Sequence, residues 1–196
     1  MENGNRRRIA IDMDEVLADT LSHYLAEYNR EFGENITKDV LSRRKLADII
    51  PSERRARLRH YALCDGFFLG IPLMPGSAEV FAELRERYEV FIATAAMEFP
   101  TSFNEKYAWI KTHFPDFPDT HIVFCGDKGI LASDFLIDDS PRQLARFTGS
   151  PFLFSAPHNH AETRYPRLND WQDVRKQFLL KSNEHDCPGL LGPLVP

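Results

Sequence analysis

The chain has 196 residues, 43% of them hydrophobic, enough for one domain with an elaboration around a single core. Acids outnumber bases 29 to 24, and beyond Arg6-Arg7-Arg8 neither sign forms a long run, which argues against a nucleic-acid polymer as partner and leaves room for a small anionic ligand. No apolar stretch follows the arginine triplet, so neither a signal peptide nor a membrane span is expected, and Cys64, Cys125 and Cys187 lack the count and spacing of a disulfide framework or zinc site. They read as reduced thiols of a cytoplasmic protein.

Residues 8–20, RIAIDMDEVLADT, read as a buried strand ending in a loop that presents Asp12 and Asp14. An unpaired carboxylate straight after Ile9-Ala10-Ile11 is costly, so the pair calls for a cation. Asp19 caps the next helix, which carries Leu21, Tyr24, Leu25, Tyr28 and Phe32 on one face and closes at Gly33. Stretches 37–47 and 51–63, polar and arginine-rich, read as two cap helices whose clusters at Arg43-Arg44-Lys45 and 54–59 form a solvated face. The apolar run 67–71 leads back into the core. Past Pro75-Gly76, a helix over 78–88 precedes a β-branched, aromatic strand over 89–94.

The alternation continues with a helix at 103–114, strands at 121–125 and 135–137, a helix at 141–147, a strand at 151–154 and a helix at 170–180. This predicts an α/β fold: a three-layer α/β/α Rossmann-like parallel sheet with a small helical cap inserted after the first strand. The core spans 1–19 and 72–196, the cap 20–71. Trp109 and Trp171 fall at apolar helical positions and read as core, while His158-Asn159-His160 reads as surface loop. The Pro/Gly-rich tail 187–196 is expected to dock on the body or on a partner, a homodimer being allowed.

In open sheets of this kind ligands sit beyond the carboxyl ends of the strands. Four such ends supply polar groups: Asp12 and Asp14, then Thr94, then Lys128, then Asp138 and Asp139. A carboxylate that attacks phosphorus must approach a dianion, so a metal ion and a lysine are needed to cancel charge. Asp12 is the nucleophile, and Asp14 the acid/base that protonates the leaving oxygen and later activates water. Mg²⁺ suits Asp12, the carbonyl of Asp14 and Asp139, with Asp138 in support. Thr94 and the backbone beyond it bind phosphate oxygens, and Lys128 offers its charge to phosphate and nucleophile alike.

DMDEV, Thr94, Lys128 and LIDDSP resemble, in order, the four motifs of the haloacid dehalogenase-like phosphohydrolases, with Asp14 pointing to phosphoryl transfer. More closely, DMDEVLADT, FFLGIPLMPGS, FIATAA, NEKYAWIKTHF, GDKGIL and LIDDSP resemble the 5′(3′)-deoxyribonucleotidase family. The resemblance implies magnesium-dependent removal of phosphate from deoxyribonucleoside monophosphates. It assigns Asp12 and Asp14 to catalysis, Thr94 and Lys128 to phosphate, and Asp12, Asp14 and Asp139 to the metal, and it places Phe68 where members line the base pocket with an aromatic. Three positions depart from the family: Glu15 stands where glycine is frequent, Thr20 where animal members have an aromatic, and Ala95, at the phosphate, where a hydroxyl often assists. The segment 104–113 carries no chemistry of its own. The competing readings are a phosphatase of another small phosphomonoester and a non-catalytic binding protein on the same fold.

Overall fold

The computed structural model describes residues 6–41 and 44–180. Arg43, Cys187 and the tail 187–196 lie outside these residues. The first strand, β1 (Arg8–Ile11), is followed by α1 (Thr20–Phe32), α2 (Lys38–Leu41), α3 (Leu46–Ile49) and α4 (Arg55–Tyr61), then α5 (Ser77–Arg87) and β2 (Glu89–Thr94). Next come α6 (Ser102–His113), β3 (Ile122–Phe124), β4 (Phe135–Asp138), α7 (Pro141–Leu144), β5 (Ser150–Phe154), β6 (Arg167–Leu168) and α8 (Trp171–Arg175), the last prolonged by a π-helical turn over Lys176–Leu180.

All six strands run parallel in the order β3-β2-β1-β4-β5-β6. The chain leaves the central β1 toward β2 on one side and returns to β4 on the other, so the switch in direction falls between β1 and β4, where the crevice for a ligand opens. Side chains of β1 alternate between two cores. Ile9 and Ile11 join Val80 and Phe81 of α5, Trp109 and Ile110 of α6 and Trp171 of α8 on one face. Ala10 joins Leu136, Leu144, Phe147 and Leu153 on the other. Helices therefore cover both faces of a sheet whose strands are apolar runs, as the parallel arrangement demands. Both tryptophans sit in this core, Trp109 Nε1 donating to the Ile71 carbonyl at 2.6 Å and Trp171 Nε1 to that of Val16 at 2.8 Å.

Helix α1 begins as expected, Asp19 accepting from Ser22 N at 3.1 Å, and ends at Gly33 in the left-handed region at φ 64°. The single helix expected over 37–47 is instead two one-turn pieces, α2 and α3. It holds too few apolar residues for a continuous buried stripe, and Leu41 and Leu46 each anchor one piece. The two-residue β6 is a strand that the sequence reading lacks; Arg167 in so short a segment breaks the apolar signal. Leu25, Tyr28, Leu41, Leu46 and Ile50 share one continuous core with β1 and α5, so the helical segment packs on the sheet domain through apolar contact. Among the described residues no helix is long and apolar enough to cross a membrane.

Candidate active site

The carboxyl ends of β1 and β4 bring the acids together. Asp12 directly follows β1, and its amide still donates to the Ile137 carbonyl of β4 at 2.9 Å, which fixes the two strand ends side by side. Asp138 closes β4 and Asp139 follows it. Carboxylate oxygens of Asp12, Asp138 and Asp139 all lie within 4.8 Å of one another, and all three residues are nearly withdrawn from solvent. Between them stands Lys128, 1% exposed, whose Nζ reaches Asp12 Oδ1 at 2.7 Å and Asp138 Oδ2 at 2.5 Å. The other oxygen of Asp138 accepts from Ser140 N at 2.7 Å.

Lys128 is held by its loop. Gln143 of α7 accepts from Lys128 N at 3.0 Å and donates to the Gly126 carbonyl at 3.1 Å, and Asp127 accepts from Gly129 N at 3.0 Å while pairing with Arg146. A Cβ on Gly129 would meet the Arg146 carbonyl oxygen at 2.8 Å, so the tight turn presenting Lys128 requires glycine.

Three carboxylates against one ammonium leave two negative charges uncompensated, in a pocket of hard oxygen donors. Burial pushes Asp12 up to about 7 against the pull of Lys128, with Asp138 and Asp14 adding to the rise. Burial, then Asp12 and Asp138, likewise hold Asp139 well above the usual carboxylate range. This donor set fits a divalent cation of the Mg²⁺ class. Between the unfolded carboxylate range near pH 4 and about pH 7 the folded state binds more protons than the unfolded one, so cation-free stability falls as pH rises through that window. A melting temperature lower by on the order of 5 °C at about pH 8 than at about pH 5 is expected in chelator, with Mg²⁺ flattening the slope. Thermal denaturation at both pH values, with and without Mg²⁺, checks it.

Asp14 faces a different set of partners. Its carboxylate accepts from Thr20 Oγ1 at 3.1 Å, from Thr94 Oγ1 at 3.5 Å and from Lys106 Nζ at 2.5 Å. Burial would raise this carboxyl, but Lys106 and the Thr20 hydroxyl outweigh it and hold it below its ordinary value. Lys106 also donates to Thr94 Oγ1 at 3.0 Å and lies 5.1 Å from the centre of the Phe68 ring. Thr94 is wholly buried at the end of β2, and the half-buried Ala95 follows it. Phe68 is buried too, among Phe67, Phe99 and Lys106.

Lys106 is the functional candidate that sequence reasoning missed. Segment 104–113, read there as chemically silent, places Lys106 in the site and Glu105 on the returning loop, accepting from Gly66 N at 2.6 Å and Phe68 N at 3.0 Å. The surface-loop reading of 158–160 holds for the two exposed histidines and fails for Asn159. Buried Asn159 donates to the Asp139 carbonyl at 2.8 Å, and the exposed His158 brings its Nε2 to 3.3 Å from Asp139 Oδ2; His160 is exposed as well. Glu15 adopts a left-handed conformation, φ 58°, which glycine reaches freely and which costs a side-chain-bearing residue about 1 kcal/mol or more.

Comparison with known proteins agrees with this geometry. Residues 6–184 match the family model described as 5′ nucleotidase, deoxy (Pyrimidine), cytosolic type C protein. A Bacillus subtilis (strain 168) protein named 5′(3′)-deoxyribonucleotidase is 35% identical over 175 residues, covering 89% of this chain and 99% of its own. A Staphylococcus aureus (strain Mu50) relative, provisionally given the same name, is 46% identical over 174 residues, covering 89% of this chain and 96% of its own. Among solved structures, a haloacid dehalogenase-like family hydrolase from Streptococcus pneumoniae superposes with a TM-score of 0.54 at 14% identity, covering 88% of this chain and 98% of that one. A parallel sheet with carboxylates at the β1 and β4 ends, matched along nearly its whole length, makes this chain a phosphomonoester hydrolase that belongs to the 5′(3′)-deoxyribonucleotidase family of the haloacid dehalogenase-like fold.

Proposed function

We propose that the protein hydrolyses deoxyribonucleoside monophosphates in a magnesium-dependent reaction through an aspartyl-phosphate on Asp12. The observation that supports this best is the division of the site into two acid–lysine pairs. Asp12 shares Lys128 with the acid cluster, and Asp14 stands apart with Lys106 and Thr94. One carboxylate is thus poised to bond phosphorus, and the other to move a proton.

Asp12 attacks phosphorus and the bond from phosphorus to the nucleoside oxygen breaks. Asp14 gives that oxygen its proton. A water molecule then attacks the phosphorus of the aspartyl-phosphate while Asp14 takes its proton back, releasing inorganic phosphate and restoring Asp12. Lys106 tunes this cycle. In the free protein it keeps Asp14 ionised; incoming phosphate oxygens compete for its charge, and burial then lifts Asp14 toward the protonated form that the first step needs. Asp12, Asp139 and the Asp14 carbonyl would hold Mg²⁺ with Asp138 in support, and the bound ion would neutralise phosphate charge. The helical segment 20–71 acts as a cap that limits water around the intermediate. A cytoplasmic location with reduced thiols completes this reading.

Enzyme quenched during turnover of dUMP and reduced with borohydride should carry homoserine at position 12. Recovery of unmodified aspartate from enzyme quenched under saturating substrate would exclude the covalent intermediate. Lys106→Met should raise KM for dUMP about tenfold and move the pH–rate profile to higher pH, since Asp14 loses the charge that holds it down. Steady-state kinetics across pH check both effects.

A further inference from the structure

A cavity of about 520 Å³ adjoins the acid site, with Glu15, Thr20, Tyr24, Leu41, Leu46 and His158 among its lining residues. Two of these touch the reacting end: Thr20 donates to Asp14 at 3.1 Å, and His158 lies 3.3 Å from Asp139. The cavity therefore offers room beside the acid site for the leaving group of a phosphate ester. Its walls are partly apolar, from Tyr24, Leu41 and Leu46, which suits a flat heterocycle at the far end.

Glu15 is the one carboxylate among the described lining residues, which also include Arg44 and Lys45. It is next to Asp14 in the chain, in a backbone conformation that glycine would adopt without strain. Its carboxylate is placed among the charges of Asp14, Asp19 and Asp139, with Lys38 as the countering cation. One oxygen, Oε1, accepts from Leu21 N at 2.5 Å, in the first turn of α1. That bond accounts for one oxygen of a residue whose backbone and charge both carry a cost at this position.

We infer that Glu15 is a specificity residue that accepts a hydrogen bond from the sugar hydroxyl of the substrate. The inference rests on the deoxyribonucleotide reading above. In a deoxyribonucleoside 5′-phosphate the sugar lies immediately beyond the leaving oxygen that Asp14 faces, and its 3′-hydroxyl is the only donor there. A carboxylate one residue from Asp14 is the acceptor suited to it, and a site built to bond a hydroxyl rejects an analogue that lacks it.

The test compares kcat/KM for dUMP with that for 2′,3′-dideoxy-UMP in the wild-type protein and in Glu15→Gly and Glu15→Gln, with kcat and KM resolved separately. Glycine suits the backbone at this position, and glutamine retains an oxygen for Leu21 N, so loss of one variant to misfolding leaves the other to decide. Wild type should favour dUMP by about tenfold or more, mainly through KM, and the ratio should fall toward one in Glu15→Gly and by about threefold in Glu15→Gln. A wild-type ratio near one, or a ratio unchanged in a folded variant, would overturn the role of Glu15 while leaving the deoxyribonucleotide reading intact. Absence of dUMP turnover by the wild type would overturn both.

Discussion

Asp12→Asn is expected to lower kcat for phosphate release by about 10⁴-fold or more while leaving the fold intact. The amide is a poor nucleophile, and the neighbouring carboxylates among the described residues have other partners, Asp139 lying 3.3 Å from His158 Nε2. Asp138 is committed to Lys128 and Ser140 N, and Asp14 to Lys106 and two threonines. Stability should move in the opposite direction to activity. Asp12 is buried with its carboxyl raised to about 7, so its ionised form costs folding free energy at alkaline pH. Asparagine keeps an acceptor for Lys128 and removes one of three crowded charges. In chelator at about pH 8 the variant should melt no lower than wild type, and the stabilisation by Mg²⁺ should shrink. Kinetics and thermal denaturation on the same sample separate loss of chemistry from loss of structure.

Lys128→Met is expected to have the largest effect on stability. The ammonium is enclosed by Asp12 and Asp138, and its removal leaves three nearly buried carboxylates within 4.8 Å of one another with no cation among them. Breaking a buried charge pair from one side costs about 3–5 kcal/mol, which lowers the melting temperature of a chain this size by about 10 °C. Activity should fall by about 10²-fold or more, because the phosphate and the nucleophile lose the same charge. The deficit also has a consequence for ions. With one more uncompensated negative charge, the variant should gain more melting temperature from Mg²⁺ than wild type does. An equal or smaller gain would show that the acid cluster is not where the cation binds.

Legibility from sequence followed burial. The strands β1, β2, β4 and β5 are apolar runs that sit in the interior of the sheet, and their ends carried Asp12, Thr94, Asp138 and Asp139 to one edge as their order implied. What failed to show was chemistry carried by side chains whose direction depends on packing. Lys106 has the composition of a surface lysine, yet it lies on the face of α6 that also buries Ser102, Trp109 and Ile110. Its spacing of three and four residues from apolar Trp109 and Ile110 was the available signal. Asn159 and His158 were missed for another reason. They follow β5, the neighbour of β4, so the rule that places ligands at strand ends extends to them as well. The broken helix over α2 and α3 and the short β6 lay below the length at which periodicity speaks. Glu15 shows in the sequence only as a residue standing where glycine is frequent in the family; its left-handed backbone and its place in the cavity wall leave no further mark.

The measurement that tests the central claim most directly is phosphate release from dUMP, with UMP and a sugar phosphate alongside, each assayed with Mg²⁺ and with chelator. Magnesium-dependent turnover that favours dUMP is the expected result. Equal or faster release from the sugar phosphate, or release from dUMP that survives the chelator, would contradict it.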